Sequence, residues 1–562
     1  MQERRPVTEV RRANREMAAA MLAGLLLLAC VYAYFCLRLY RGYLLLRDDP
    51  GNVGGTVAEG LRSWFTRGMA GYYHVYPEWP QPGFSNFYRP VWNLILYAEH
   101  AAFGQHYWLW FLFFCAVQYF AALLFLRLLR SLGVAARLSW FFAILFLFNP
   151  AFLNFGLIYP GFQFDVFASV MLLLALHQLL EGRNAPALAL ITAAIFTKET
   201  AIFAPVAAAA TIFIRTRDVK WSAAMLAPLL AWIAARLLVF HAAMGGTFAS
   251  PANAHELLLN IGKGLIVWPS SAVPANFPLQ FAGGYGVALL VFLAVNAGLW
   301  VILAIAAWQA LRALCQAPQK KEAKLQAILL IWALGALSFC LLIRPQTRFG
   351  ASLYVFLLLF LAYFLFANAW PKIWKLIPAL ILSFVTLIRA GNFLSHAIVN
   401  LVPERNGETA LYAALRALPQ DGSPVLVVNA PTMLSAPRFL AKAWDIKRDI
   451  IFMDQFRGCP HAESADASYE LTAALLSVEI PACASYVLAG VPDDIQAKAR
   501  TGALVRSGIG TYQFPGTSDK RPKDGDIDFG RTLRIRFAAP VPSTVLAYDW
   551  QDGTYRRLAP AL

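Results

Sequence analysis

MAAAMLAGLLLLACVYAYFCLR, residues 17–38, runs for 21 residues without a charged side chain before it meets Arg38. At 1.5 Å per residue a helix of that length crosses a hydrocarbon core of roughly 30 Å. The basic stretch RRPVTEVRRANR, residues 4–15, precedes it and places the N-terminus on the cytoplasmic side, where Lys and Arg accumulate. LLAC at 27–30 has the outline of a lipoprotein cleavage box. The apolar run continues through VYAYFCL, longer than a signal-peptide core, so the segment reads as an uncleaved span.

Similar runs recur from Met17 to about Ala390, separated by short charged or Pro/Gly-rich breaks, and number about eleven. The whole chain of 562 residues is 59% hydrophobic and 14% charged, a balance that excludes a soluble globular protein of this length. The expected fold class is therefore a polytopic α-helical membrane protein. Residues 1–391 form its transmembrane domain, and 392–562 a small C-terminal extracytoplasmic α/β domain.

The net charge of +16 is unevenly spread. Residues 1–391 hold 30 Lys+Arg against 14 Asp+Glu, an excess of 16, whereas 392–562 hold 18 of each. Basic charge confined to breaks between apolar spans is the positive-inside bias, not a nucleic-acid surface, so no nucleic-acid partner is expected. Alternating from the N-terminus, the inward ends are RLLRSLGVAAR (127–137), EGRNAP (181–186), RTRDVK (215–220), QKKEAK (319–324) and PKIWK (371–375), each of which carries Lys or Arg. The outward ends are 38–91, NFGLIYPGFQFD (154–165), TKET (197–200), 245–285 and RPQTRFG (344–350). An odd number of spans delivers the C-terminal 170 residues outside.

Several outward ends nonetheless carry cations: Arg38, Arg41, Arg47, Arg62, Arg67 and Arg89 in the first loop, Lys198 in the third, Arg344 and Arg348 in the fifth. Insertion does not require them there. Headgroup contact is one reading, and convergence on an anionic ligand such as a phosphate is the other. Asp48, Asp49, Asp165 and Glu199 share this sidedness. The pattern disfavours an ion-coupled transporter, whose relay sits near the bilayer midplane.

The first loop, 41–91, contains RDDPGN, an amphipathic EGLRSWFTRGM and the aromatic-rich YYHVYPEWPQPGFSNFYRPVWN, a composition suited to helices lying in the membrane interface. After Ala390, GETALYAALRAL and PRFLAKAW read as helices, and SPVLVVNAP, DIIFM, ASYVLAG and LRIRFAAPVPSTVLAYDW as strands. Cys459 and Cys483 lie in this part, where an oxidising compartment permits a disulfide. DGDID at 524–528 lacks the glycine and terminal glutamate of a calcium loop and reads as a solvated turn. No Walker loop, dinucleotide glycine motif, HExxH or nucleophile elbow stands in a convincing context.

The acidic pair Asp48-Asp49 after span one, FYRPVWN at 87–93 with FG at 103–104, FNP at 148–150, FTKET at 196–200 and TRFG at 347–350 together resemble the GT-C superfamily of integral membrane glycosyltransferases. The likeness covers roughly 17–391. It is nearest to the protein O-mannosyltransferase-like and aminoarabinose-transferase-like bacterial members. The resemblance implies residence in a bacterial inner membrane with a periplasmic C-terminal domain. It also implies transfer of a sugar from a polyprenyl-phosphate-linked donor to a hydroxyl on a lipid, glycan or protein acceptor. Carried over, the first-loop acid falls on Asp48 or Asp49, the second-loop acid on Asp165, the third-loop pair on Lys198 and Glu199, and the late-loop arginine on Arg348 with Arg344 beside it. Tyr88, Arg89 and His74 are further candidate substrate contacts. DD-Pro replaces the DE of protein mannosyltransferases, and Asp165 stands where the family has a paired acidic motif. No definite cofactor follows, and a divalent metal is left open.

The chemistry fits these residue types. A hydroxyl attacking an anomeric carbon needs a base, and a phosphate leaving group needs its charge stabilised. One base without a partner acid predicts single displacement with inversion. A lipid or polysaccharide flippase and a surface-glycan polymerase or ligase are the competing readings.

Overall fold

The computed structural model describes residues 88–147 (except 105), 163–241, 285–342 and 351–367. In the C-terminal half it describes 402–419, 421–428, 444–452 (except 449), 477–480, 486–489, 534–537, 544–549 and 554–557, with isolated positions elsewhere. The first apolar run, 17–38, falls largely outside these residues, as do Cys459, Cys483, DGDID and the PRFLAKAW segment.

The chain-ordered helices of the first half are α1 (Pro90–Phe103), α2 (Tyr107–Ser131), α3 (Ala136–Leu147), α4 (Phe164–Leu180), α5 (Asn184–Thr197), α6 (Ala204–Thr216), α7 (Val219–Ala224), α8 (Ala227–Phe240), α9 (Tyr285–Gln316), α10 (Lys321–Leu342) and α11 (Ala351–Ala367). A 3₁₀ turn, Glu199–Ala201, separates α5 from α6. Among the described residues five stretches are long and apolar enough to cross a membrane: Trp108–Ser131, Glu199–Thr216, Val219–Phe240, Asn296–Gln316 and Lys321–Cys340. Shorter apolar helices accompany them at Ala136–Leu147, Phe164–Leu180, Asn184–Thr197 and Tyr354–Leu365. This half is a helical membrane protein.

Helix ends follow local chemistry. Gly133 and Gly182 adopt positive φ, 86° and 82°, where a side chain would be strained. Each closes its helix with the long return bond of a Schellman end: Val134 N–H donates to Leu129 O at 3.1 Å, and Arg183 N–H to Gln178 O at 2.9 Å.

Burial sorts the helices into centre and rim. Tyr354 to Leu365 of α11 is buried on every side, as an all-apolar helix must be when it occupies the middle of a bundle. It packs against α3, α4, α9 and α10. By contrast α8 and α9 expose Leu230, Leu238, Val301 and Trp308, with Leu238 79% exposed, a surface that only lipid would cover at low cost. At the centre Phe203 meets Trp332 edge-on at 6.0 Å and Phe356 at 5.8 Å, and Trp332 stacks at a tilt on Phe356 at 4.9 Å. Trp332 Nε1 donates to Thr211 Oγ1 at 3.1 Å, so the indole is satisfied within the bundle. This knot ties α6, α10 and α11 just beyond the 3₁₀ turn. Gly335 of α10 makes it possible, because a Cβ there would come within 2.9 Å of the Phe203 ring.

The described part of the chain after residue 395 forms a separate compact unit. Helix α12 (Val402–Ala417) buries Ala410, Leu411, Ala414 and Leu415 along one face. The strands are β1 (Val425–Val428), β2 (Ile450–Phe452), β3 (Ser477–Ile480), β4 (Tyr486–Ala489), β5 (Arg534–Phe537), β6 (Thr544–Asp549) and β7 (Thr554–Arg557). One sheet has the order β2-β1-β4-β6-β7, parallel except for antiparallel β7, and β3 pairs separately with β5. Parallel neighbours need crossover connections, so strands β1, β2, β4 and β6 are wound, while β6 and β7 pair antiparallel. Tyr486 of β4 donates its hydroxyl to Asp421, and the Arg448 guanidinium lies 5.3 Å from the Tyr486 ring.

Two outcomes are expected. Gly335→Val should lower stability by about 1–3 kcal/mol, because Phe203 is held by two other rings and cannot withdraw. Gly298→Val in α9, where an added Cβ meets nothing within 4 Å, should stay within about 0.5 kcal/mol of wild type in the same detergent melts. The second concerns Glu99 of α1, a helix of 14 residues that is too short to cross a bilayer. Glu99 is buried, its oxygens have no hydrogen-bond partner among the described residues, and burial pushes its carboxyl well above the usual range. The folded protein keeps this proton, while the unfolded chain releases it above about pH 4.3. Wild type should therefore lose stability relative to Glu99→Gln as pH rises from 5 to 8; a pH-independent difference would contradict it.

Candidate functional site

Three segments distant in sequence meet at the start of α4. The first is Tyr88-Arg89-Pro90. Pro90 opens α1, where its missing N–H is harmless, and Arg89 O accepts from Asn93 N–H at 3.0 Å to start the helix. The second is Gln163-Phe164-Asp165, which opens α4. The third is Lys198-Glu199-Thr200. Here α5 stops because Lys198 turns extended, at φ −155° and ψ 133°, and α6 restarts with Pro205 in its first turn. That break turns Lys198 and Glu199 into the protein, where they are 1% and 0% exposed.

Glu199 is the hub. Arg89 Nε donates to both of its oxygens, at 3.1 and 3.0 Å, and Nη2 donates to Oε1 at 2.9 Å while lying 2.8 Å from Oε2. Lys198 Nζ stands 3.6 Å from Oε2. Both cations also lie over the ring of Phe164, at 4.5 Å for Arg89 and 4.3 Å for Lys198. A ring face attracts cations, more so away from water, so Phe164 helps hold two like charges on one carboxylate. Asp165 is buried in the first turn of α4, where the helix dipole favours a negative charge, and its Oδ1 accepts from Thr200 Oγ1 at 3.5 Å. The cap position itself belongs to Gln163. Asp165 also lies within electrostatic reach of Cys340 in α10.

Arg236, one turn before the end of α8, is fully buried and was not singled out by sequence. Its guanidinium lies 4.9 Å from the Trp232 ring and 5.4 Å from the Phe240 ring, and it interacts electrostatically with both Glu199 and Arg89. Tyr88 joins this wall, edge-on to Phe240 at 6.2 Å and to Phe196 at 5.9 Å. The signal available in the sequence was a lone arginine with aromatics four residues to either side, which places one ring above it and one below on the same helix face. Three cations, Arg89, Lys198 and Arg236, thus surround two carboxylates, Asp165 and Glu199, in a surface of rings. Among the described residues of the cluster the balance is one positive charge in excess.

Of the sequence candidates, Tyr88, Arg89, Asp165, Lys198 and Glu199 come together here. Asp48, Asp49, His74, Arg344 and Arg348 lie outside the described residues. Among the described residues no three His, Cys, Asp or Glu side chains are grouped so as to hold a metal ion.

Removing one partner of a buried ion pair strands the other charge, at about 3–5 kcal/mol, whereas replacing both by apolar groups is often nearly neutral. Arg89→Met and Glu199→Leu should each destabilise strongly, and the double variant less than the sum of the singles. Additive losses in detergent melts would show that the pair is not a unit. No protein-family model, curated protein or solved structure matches the chain, so what this cluster does is read from its own chemistry.

Proposed function

We propose that the chain is a membrane glycosyltransferase of the GT-C kind, with about eleven transmembrane helices, a cytoplasmic N-terminus and a C-terminal α/β domain in the periplasm. It moves a sugar from a polyprenyl-phosphate donor to a hydroxyl of a lipid, glycan or protein acceptor at the outer face of the bacterial inner membrane. The observation that carries the reading is the buried cluster in which Arg89, Lys198 and Arg236 converge with Asp165 and Glu199, one cation in excess among the described residues. An anionic group entering this apolar-walled site would neutralise that excess. A phosphate ester suits it, because it offers several acceptor oxygens and no donors.

In the reaction the acceptor oxygen attacks the anomeric carbon as the bond from that carbon to the phosphate oxygen breaks. The acceptor proton passes to Asp48 or Asp49, and the electron pair leaves on polyprenyl phosphate. Lys198 and Arg236, with Arg344 and Arg348, stabilise the charge growing on the leaving oxygen. Glu199 and Arg89 act as positioning residues for Lys198. Asp165 orients the approach from the α4 side.

The test is release of polyprenyl phosphate by the purified full-length protein supplied with a panel of polyprenyl-phosphate sugars and with bacterial envelope lipid, glycan and protein as the source of acceptor hydroxyls. Asp48→Asn or Asp49→Asn should abolish release, and Lys198→Met should reduce it by about 10²–10³-fold. Wild-type rates in both Asp variants, verified as folded, would remove the base from the mechanism. Failure of the wild type to consume any member of the panel would overturn the donor assignment.

A further inference from the structure

Besides the two cations, Phe164 has a neighbour of different character. Trp92 meets Phe164 edge-on at 5.5 Å and is fully buried. Next in sequence to these two rings stand Asn93 and Gln163, 2% and 0% exposed. Among the described residues, Trp92 Nε1, Asn93 Oδ1 and both amide atoms of Gln163 are buried without a hydrogen-bond partner. Folded chains leave few such atoms unpaired, and four of them in the residues of one ring contact and their chain neighbours point to a polar ligand. Gln163 sits at the N-cap of α4 without capping it, so its amide is also unused by the helix.

The kind of ligand follows from the donor pattern. Trp92 Nε1 and the Gln163 amide nitrogen donate; Asn93 Oδ1 and the Gln163 oxygen only accept. A phosphate oxygen could serve the donors but would leave both acceptors unpaired. A hydroxyl both donates and accepts, so a polyhydroxylated neutral ring can satisfy all four. Trp92 and Asn93 lie within one helical turn of Arg89, about 5 Å along α1. That is the spacing expected when a ring is bonded directly to a phosphate held by the cations.

We propose that Trp92, Asn93 and Gln163 form the subsite that holds the sugar ring of the donor; this rests on the donor reading above. The probes are undecaprenyl phosphate and its glucosyl, mannosyl and arabinosyl esters, bound to full-length protein in nanodiscs. Wild type should bind at least one ester more tightly than undecaprenyl phosphate. Asn93→Leu and Gln163→Met, which keep side-chain size, should each cut that sugar-dependent excess about tenfold, the scale of one hydrogen bond to the ligand. Affinity for undecaprenyl phosphate should stay unchanged, and the melting temperature should hold or rise. Trp92→Phe, which removes the N–H and keeps a ring against Phe164, serves as a third arm should either variant misfold. Retention of the full excess by the variants would mean that these atoms bind only water and would overturn the proposal. Equal affinity of wild type for undecaprenyl phosphate and every ester would overturn it as well. If wild type binds none of the four, the donor reading itself falls, a result distinct from the other two.

Discussion

The bidentate contact between Arg89 and Glu199 is the constraint on which the described part of the site depends. It joins residues 110 positions apart, at 4% and 0% exposure, and both ends of the pair are at helix breaks. Two charges taken out of water are stable only when their hydrogen bonds are nearly complete. Arg89 meets that condition through Nε and Nη2, and Glu199 through both oxygens. The pair fixes the entrance of α1 against the break between α5 and α6. Phe164, lying beneath both cations, brings the first turn of α4 to the same point.

The rings around this pair do more than fill space. Phe164, Phe196, Phe240, Tyr88 and Trp232 give the charges walls of low polarity, and in such surroundings charges interact more strongly than in water. Arg236 shows the consequence. It is fully buried near another arginine, and two aromatic faces compensate part of its lost hydration. A site arranged this way has its charges oriented before a ligand arrives, which is the condition for stabilising a charge that develops on a leaving group.

Much of this was legible in sequence and some was not. Sidedness singled out Arg89, Asp165, Lys198 and Glu199, because cations and carboxylates at outward span ends go beyond what insertion requires. Partner choice was illegible: adjacency suggests that Lys198 pairs with Glu199, yet the closer partner is Arg89, 110 residues away. Only packing of α1 beside the α5–α6 break determines that. Arg236 escaped notice because an arginine near the end of an apolar run reads equally well as one that reaches for the headgroups. Trp92, Asn93 and Gln163 escaped for another reason: neutral polar residues at helix starts are common, and only their lack of partners sets them apart. In the C-terminal half the apolar runs marked strands β1, β2, β4, β5 and β6, but the order β2-β1-β4-β6-β7 is a property of crossovers that no single run encodes.

The same geometry separates the roles of the carboxylates. A general base must offer a lone pair to an incoming proton and must exchange that proton readily. Glu199 accepts from Arg89 on both oxygens and has Lys198 at 3.6 Å, so protonating it would break the pair and leave two cations facing each other in an apolar site. It is a counter-ion, not a base. Asp165 is linked to a neutral hydroxyl, Thr200, at the longer distance of 3.5 Å, and the start of α4 favours its charged form. That environment suits a fixed negative charge that orients a donor or an acceptor. In the proposed transfer the proton-accepting role is thereby left to a carboxylate nearer water, which is the position expected from sequence for Asp48 and Asp49, just past the first apolar run.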